Sequence, residues 1–171
     1  MAGELLLEVE PDLDNIWENA CGQGHLAKVF DKAGKLGKAT DLIDRGYGVG
    51  GIDFLEVVDK WENGDIVTNP PYKLSEEFIR HSLDLIDKGR KVCMFLKLQF
   101  LEGQGRKDLY NKYPPKVIYV CRGRIVCALN GEFTKIDKET GKEKKISSAI
   151  AYAWFVWEKG FKGEPVIRWI N

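Results

Sequence analysis

Asn69-Pro70-Pro71-Tyr72 is the stretch whose residue types point most directly to chemistry. Consecutive prolines fix the backbone and remove two N–H donors, which leaves the Asn69 side-chain carbonyl and the Pro70 main-chain carbonyl as outward acceptors. Two such acceptors suit a planar amino or amide nitrogen. They would hold its N–H groups and direct its lone pair at an electrophile, while Tyr72 offers a ring for stacking. Orientation and electrostatics carry that chemistry, and no general base of raised basicity is required. A plain Pro-Pro turn after a strand is the competing reading of the same residues.

A second constellation lies upstream. Glu18-Asn19-Ala20-Cys21-Gly22-Gln23-Gly24 follows a short extended run and opens onto helical spacing at Leu26, Ala27 and Phe30. Gly22 and Gly24 let backbone approach a ligand closely in front of a helix N-terminus. With Ala27 they satisfy G-x-G-x-x-[GA], and Asp41 stands 17 residues past Gly24, where a ribose-binding acid is expected. A nucleoside cofactor is expected from that pairing, with a plain tight strand-to-helix turn as the competing reading. Asp53 and Phe54 come next: the acid suits an adenine amino group and the ring suits a face of the base, although a helix cap and a core residue would look the same.

These groups need strand ends to hold them. Asn15–Glu18, Lys38–Ile43, a glycine-rich Tyr47–Ile52 and Asp65–Asn69 read as four strands, the last stopped by the prolines. Ser75, followed by Glu76 and Glu77, opens an amphipathic helix to about Lys88. Lys91–Leu96 has the continuous apolar character of a strand covered on both faces. Leu101–Lys112 reads as helix, Val117–Val120 as strand, and Ala149–Trp157 as the last core strand, after a polar insertion at about 122–148 with turn signals at Asn130-Gly131 and Thr140-Gly141. Seven strands alternating with helices predict an α/β, Rossmann-like, mostly parallel sheet with its ligand crevice at the carboxyl ends of the strands.

Composition narrows the possibilities. The chain has 171 residues, 44% hydrophobic and 30% charged, as one domain with a sizeable core requires. Basic and acidic residues balance at 26 each, so no global field draws in a polyanion, and any nucleic acid must be met locally. Residues 1–20 hold six acids and no base, whereas residues 112–145 hold nine bases against four acids. The basic segment and Arg106 are the candidates for phosphate contact, with Phe133 as an additional stacking group. The longest apolar run, Ala149–Trp157, has nine residues, about half of what a spanning helix needs. The acidic N-terminal stretch is the opposite of a signal peptide's basic start, and a cytoplasmic protein with no membrane association is expected. Four cysteines and two histidines show no zinc-ligand spacing, so no metal is assigned.

Through the tetrapeptide and the strand-end residues the sequence resembles the S-adenosylmethionine-dependent amino-methyltransferases, above all the adenine-N6 DNA methyltransferases with their [DNS]-P-P-[YFW] hallmark. The resemblance runs through most of the chain. It implies a seven-stranded sheet whose antiparallel last strand is Ala149–Trp157. It also implies that Glu18–Gly24 holds the methionine part of the cofactor, that Asp41 binds the ribose hydroxyls, and that Asp53 and Phe54 contact the adenine. Asn69, Pro70 and Tyr72 would be catalytic, with Asn69 also touching cofactor and Tyr72 the substrate. Only the 122–148 insertion is long enough to serve as a target-recognition element, so a protein partner supplying recognition is a further expectation. Ribosomal-RNA base and protein-glutamine methyltransferases share the tetrapeptide and remain alternatives. Nicotinamide-dependent oxidoreduction fits the glycine pattern alone and has no use for Asn69–Tyr72. A silent cofactor-binding subunit is a third possibility.

Overall fold

The computed structural model describes residues 2–123, 134–136, 143–145 and 150–171. Helix α1 (Ala2–Val9) leads into β1 (Ile16–Glu18), α2 (Ala27–Lys32), β2 (Leu36–Ala39), β3 (Ile66–Thr68), α3 (Ser75–Leu85), β4 (Lys91–Lys97), α4 (Lys107–Lys112), β5 (Val117–Cys121), the small pair β6 (Thr134–Ile136) and β7 (Glu143–Lys145), then β8 (Tyr152–Glu158) and β9 (Val166–Ile170). The main sheet runs β2-β1-β3-β4-β8-β5-β9. Neighbours are parallel except β8, which lies antiparallel between β4 and β5. β6 and β7 pair antiparallel, whereas the Asn130-Gly131 and Thr140-Gly141 turns lie outside the described residues.

The period-2 geometry of strands sorts the apolar residues onto two faces. Ile66, Val92, Met94, Leu96, Phe155 and Trp157 pack against Phe78, Ile79 and Leu83 of α3 and Leu109 of α4. Val67, Cys93, Phe95, Trp154 and Val156 face the other way, toward Leu6 of α1 and Phe30 of α2. The uninterrupted burial of β4 and β8 is what a sheet covered on both faces demands. Each fully buried aromatic of β8 contributes roughly 2–3 kcal/mol. At the amino end of β4, the Lys91 ammonium meets the carboxylates of Glu10 and Asp12, each at 2.6 Å, and the Tyr119 hydroxyl donates to Glu10 at 2.7 Å. This cluster ties the segment after α1 to the sheet.

Four sequence expectations change. The second strand ends at Ala39 rather than Ile43. Tyr47–Ile52 is not a strand: positive φ at Gly46, Gly48 and Gly51 breaks the extended run, and only the Thr40–Val49 bridge survives. Leu101–Lys112 is two short 3₁₀ turns and a six-residue helix, because Gly103 adopts φ 128°. A further strand, β9, follows Tyr152–Glu158 and pairs parallel with β5. The main sheet keeps seven strands because β9 is gained where Tyr47–Ile52 is lost.

Among the described residues the three cysteines, Cys21, Cys93 and Cys121, are free and buried, and no cluster suits a metal ion. No described helix is long and apolar enough to cross a membrane.

Candidate active site

The expected residues converge at the carboxyl ends of β1, β2 and β3. After β1 the chain turns through Gly22 (φ 54°) and Gly24 (φ 77°). Two buried hydrogen bonds stitch this loop to the end of β2, Thr40 N–H donating to Glu18 O and Cys21 N–H to Thr40 O, both at 2.9 Å. Asp41 completes the join. One of its oxygens accepts the Gly22 N–H at 2.8 Å, and the other accepts the Ile43 N–H and the Arg45 guanidinium, each at 2.9 Å. A carboxylate offers about four lone-pair sites, so it retains capacity for a hydroxyl.

Several buried polar atoms at these strand ends have no partner, as do Ser82 Oγ and Arg90 Nε elsewhere. Glu18 Oε2, both side-chain polar atoms of Asn19, Thr68 Oγ1 and Asn69 Oδ1 are buried without a hydrogen bond. All five sit at or just past the ends of the adjacent strands β1 and β3. Each such group costs about 1–3 kcal/mol when left unsatisfied, a cost that a bound polar molecule would remove. Burial, reinforced by the nearby Asp41 carboxylate, holds the Glu18 carboxyl well above its ordinary range, although the Ala27 N–H opposes the shift. Burial with the Glu18 and Asp41 carboxylates also pushes the Cys21 thiol up to about 11, so it is a poor nucleophile.

The Asn69–Tyr72 bend follows β3. Pro71 O accepts the Leu74 N–H at 2.8 Å and Tyr72 O accepts the Ser75 hydroxyl at 3.0 Å. Asn69 Oδ1 and the Pro70 carbonyl accept nothing among the described residues. The two acceptors singled out from sequence are therefore unpartnered, although Asn69 Oδ1 and Pro70 are both buried, and their neighbours are used in turning the chain. The Tyr72 ring is 37% exposed. It lies 6.3 Å from the Tyr152 ring, and the Lys97 ammonium is 4.9 Å from its centroid.

Arg106 shares a depression of about 160 Å³ with Tyr72. Its guanidinium is held by the carbonyls of Glu102 and Phe100 and lies 4.3 Å from the Phe100 ring centroid. One expectation does not hold. Phe54 is 2% exposed, with Trp17, Phe78 and His81 packed around it at 4.9–5.3 Å, so it offers no ring face to a base. Asp53 caps the following 3₁₀ turn, accepting the Leu55 N–H at 3.0 Å. Phe133 and most of the basic insertion lie outside the described residues.

Three features escaped the sequence reading. Leu42 and Ile43, 61% and 54% exposed, project beside Asp41, where they were read as strand interior. An apolar pair directly after a strand-end acid was the available signal. Tyr47 lies against the glycine loop so closely that a Cβ on Gly24 would come within 2.4 Å of its ring. Lys97 stands over Tyr72, and only the end of a buried strand hinted at its position.

No family model matches the chain, and no curated protein matches it. Solved structures do. A Listeria monocytogenes protein assigned to the class I S-adenosylmethionine-dependent methyltransferases superposes with a TM-score of 0.61 at 12% identity over 98% of this chain. A Thermotoga maritima S-adenosylmethionine-dependent O-methyltransferase gives 0.58 at 13% identity over 95%. The type IIG restriction endonuclease BpuSI gives 0.57 at 14% over 93%. This chain spans 62%, 66% and 25% of those chains, respectively. The fold is the Rossmann-like methyltransferase fold.

Proposed function

We propose that the chain is an S-adenosylmethionine-dependent N-methyltransferase whose target is adenine N6 in DNA. The observation that carries this reading is the pair of unpartnered acceptors, Asn69 Oδ1 and Pro70 O, at the end of the strand next to a glycine loop with unpartnered buried polar atoms. The restriction enzymes BpuSI and EcoKI M protein among the structural neighbours agree with a DNA substrate, and a Pyrococcus horikoshii protein assigned as an RNA methyltransferase and the Aquifex aeolicus tRNA methyltransferase TrmI keep RNA as the alternative.

The residues present fit the cofactor. Glu18 and Asn19 would hold its amino-acid end, the Gly22–Gly24 backbone would lie against it, and Asp41 would accept its ribose hydroxyls. Leu42 and Ile43 replace Phe54 as the apolar cover for its adenine. Bound there, the cofactor supplies a methyl carbon made electrophilic by its sulfonium. The chain's own part is to orient the nucleophile. Asn69 Oδ1 and Pro70 O accept the two amino N–H groups, which draws the nitrogen lone pair out of conjugation with the ring, and Tyr72 holds the ring by stacking. The basic insertion would add backbone contacts, and a partner chain would add site recognition. Incubation with tritiated S-adenosylmethionine and separate samples of DNA, RNA and cell protein tests the reading. Label in N6-methyladenine from DNA is expected, and label confined to glutamine or to RNA would displace the DNA assignment.

A further inference from the structure

We propose that Lys97, with Arg106, grips a phosphodiester flanking the target base, so that the site is built for a polynucleotide strand rather than for a side-chain amide of a protein. The proposal rests on the methyl-transfer reading above and adds the residues that select the substrate class.

Several of the other cations on the described surface are neutralised. Arg45 pairs with Asp41, Arg80 with Glu76 and Asp108, Arg90 with Asp65, and Lys116 with Glu158. Lys97 and Arg106 have no carboxylate partner among the described residues. The depression they share is lined by Tyr72, Ser75, Leu96, Gln99 and Phe100 besides these two, and it includes no acid. A half-buried ammonium whose described contact is an aromatic face is held weakly, because cation–π attraction at a wetted site is small. Such a group readily exchanges the ring for an anion. Arg106 is better fixed: two backbone carbonyls and the Phe100 face orient its guanidinium, and its remaining N–H donors are left for an acceptor.

Position gives these charges their meaning. Lys97 ends β4 beside the bend, and its ammonium lies over the ring on which the target would stack. A nucleotide always carries a phosphate close to its base. A glutamine side chain brings no obligatory anion to the same place. A protein with no net charge must capture a polyanion locally, and two cations without a carboxylate partner beside Tyr72 are one place where it can do so.

The test measures binding of a short single-stranded oligodeoxynucleotide with one adenine, an oligoribonucleotide of the same sequence and a glutamine-containing peptide, each across a salt series, alongside cofactor affinity. Lys97→Met should weaken oligonucleotide binding about 5–20-fold at low salt. It should also flatten the dependence of log K on log salt by roughly 0.7, the value for one single-strand phosphate contact. Lys97→Arg should restore both, Arg106→Met should resemble Lys97→Met, and cofactor affinity should stay unchanged throughout. Binding of either oligonucleotide with this pattern supports the proposal, and the DNA and RNA samples distinguish the sugar. A wild-type salt slope retained in Lys97→Met, or preferential binding of the peptide, overturns the phosphate contact while leaving methyl transfer intact. Failure of the wild-type protein to bind cofactor overturns the underlying reading and the proposal with it.

Discussion

Asp41 accepts the backbone N–H of Gly22 at 2.8 Å, so the acid at the end of one strand shapes the glycine turn at the end of its neighbour. Asp41→Ala would remove that bond as well as the acceptor for a ribose. Cofactor affinity should fall by about 1.5–3 kcal/mol, measured by calorimetry, and an unchanged affinity would remove Asp41 from the site.

Asn69→Ala deletes one of the two unpartnered acceptors without touching the β1 loop. Methyl transfer should be lost to below detection while cofactor binding remains within about twofold, as the separation of binding from transition-state contacts requires. Turnover near the wild-type rate would refute the role assigned to the bend.

The two loop glycines should respond differently to alanine. Both adopt positive φ, yet a Cβ on Gly22 meets nothing within 4 Å, whereas one on Gly24 would collide with Tyr47. Gly22→Ala should cost about 1 kcal/mol in urea unfolding, and Gly24→Ala about 1–2 kcal/mol more. Equal costs would contradict the close packing of Tyr47.

Glu18 predicts a pH dependence. A carboxyl whose value is raised in the folded chain stays protonated above its ordinary 4.5, so folding stability falls as pH climbs from there through the raised value. If a cofactor ammonium binds the ionised form, binding should release a proton and tighten with rising pH over the same window. Calorimetry in buffers of different ionisation enthalpy would detect the proton, and Glu18→Gln should abolish it.

Lys91→Met leaves the Glu10 carboxylate buried against Tyr119 without its cation. Unfolding free energy should drop by about 3 kcal/mol. Adding Glu10→Gln should recover part of the loss, because the two residues share one interaction and their effects are not additive.

Much of this architecture was legible because burial on both faces writes long apolar runs such as Val92–Leu96 and Tyr152–Trp157, and prolines punctuate strand ends. The candidate loop and bend were legible for a related reason: glycine and proline types are dictated by backbone geometry. Phe54 was misplaced because an aromatic beside an acid looks alike in a core and in a cleft, and only Trp17 and Phe78 around it decide. β9 left little trace since Val166, Ile167 and Trp169 stay exposed on an outer strand, where alternation of polar and apolar residues is not enforced. Lys97 over Tyr72 was invisible because no local pattern encodes a contact between the ends of two different strands.

Strands β5 and β8 lie side by side, so the chain that leaves Cys121 comes back at Tyr152, on the rim that also carries Asn69. Closing a loop between fixed neighbouring ends grows costlier only with the logarithm of its length, about 0.6 kcal/mol per doubling. Segments of very different size and charge can therefore be grafted at this junction with little penalty to folding. A longer or differently charged segment there would change what stands beside the bend and leave the register of β5 and β8 as it is.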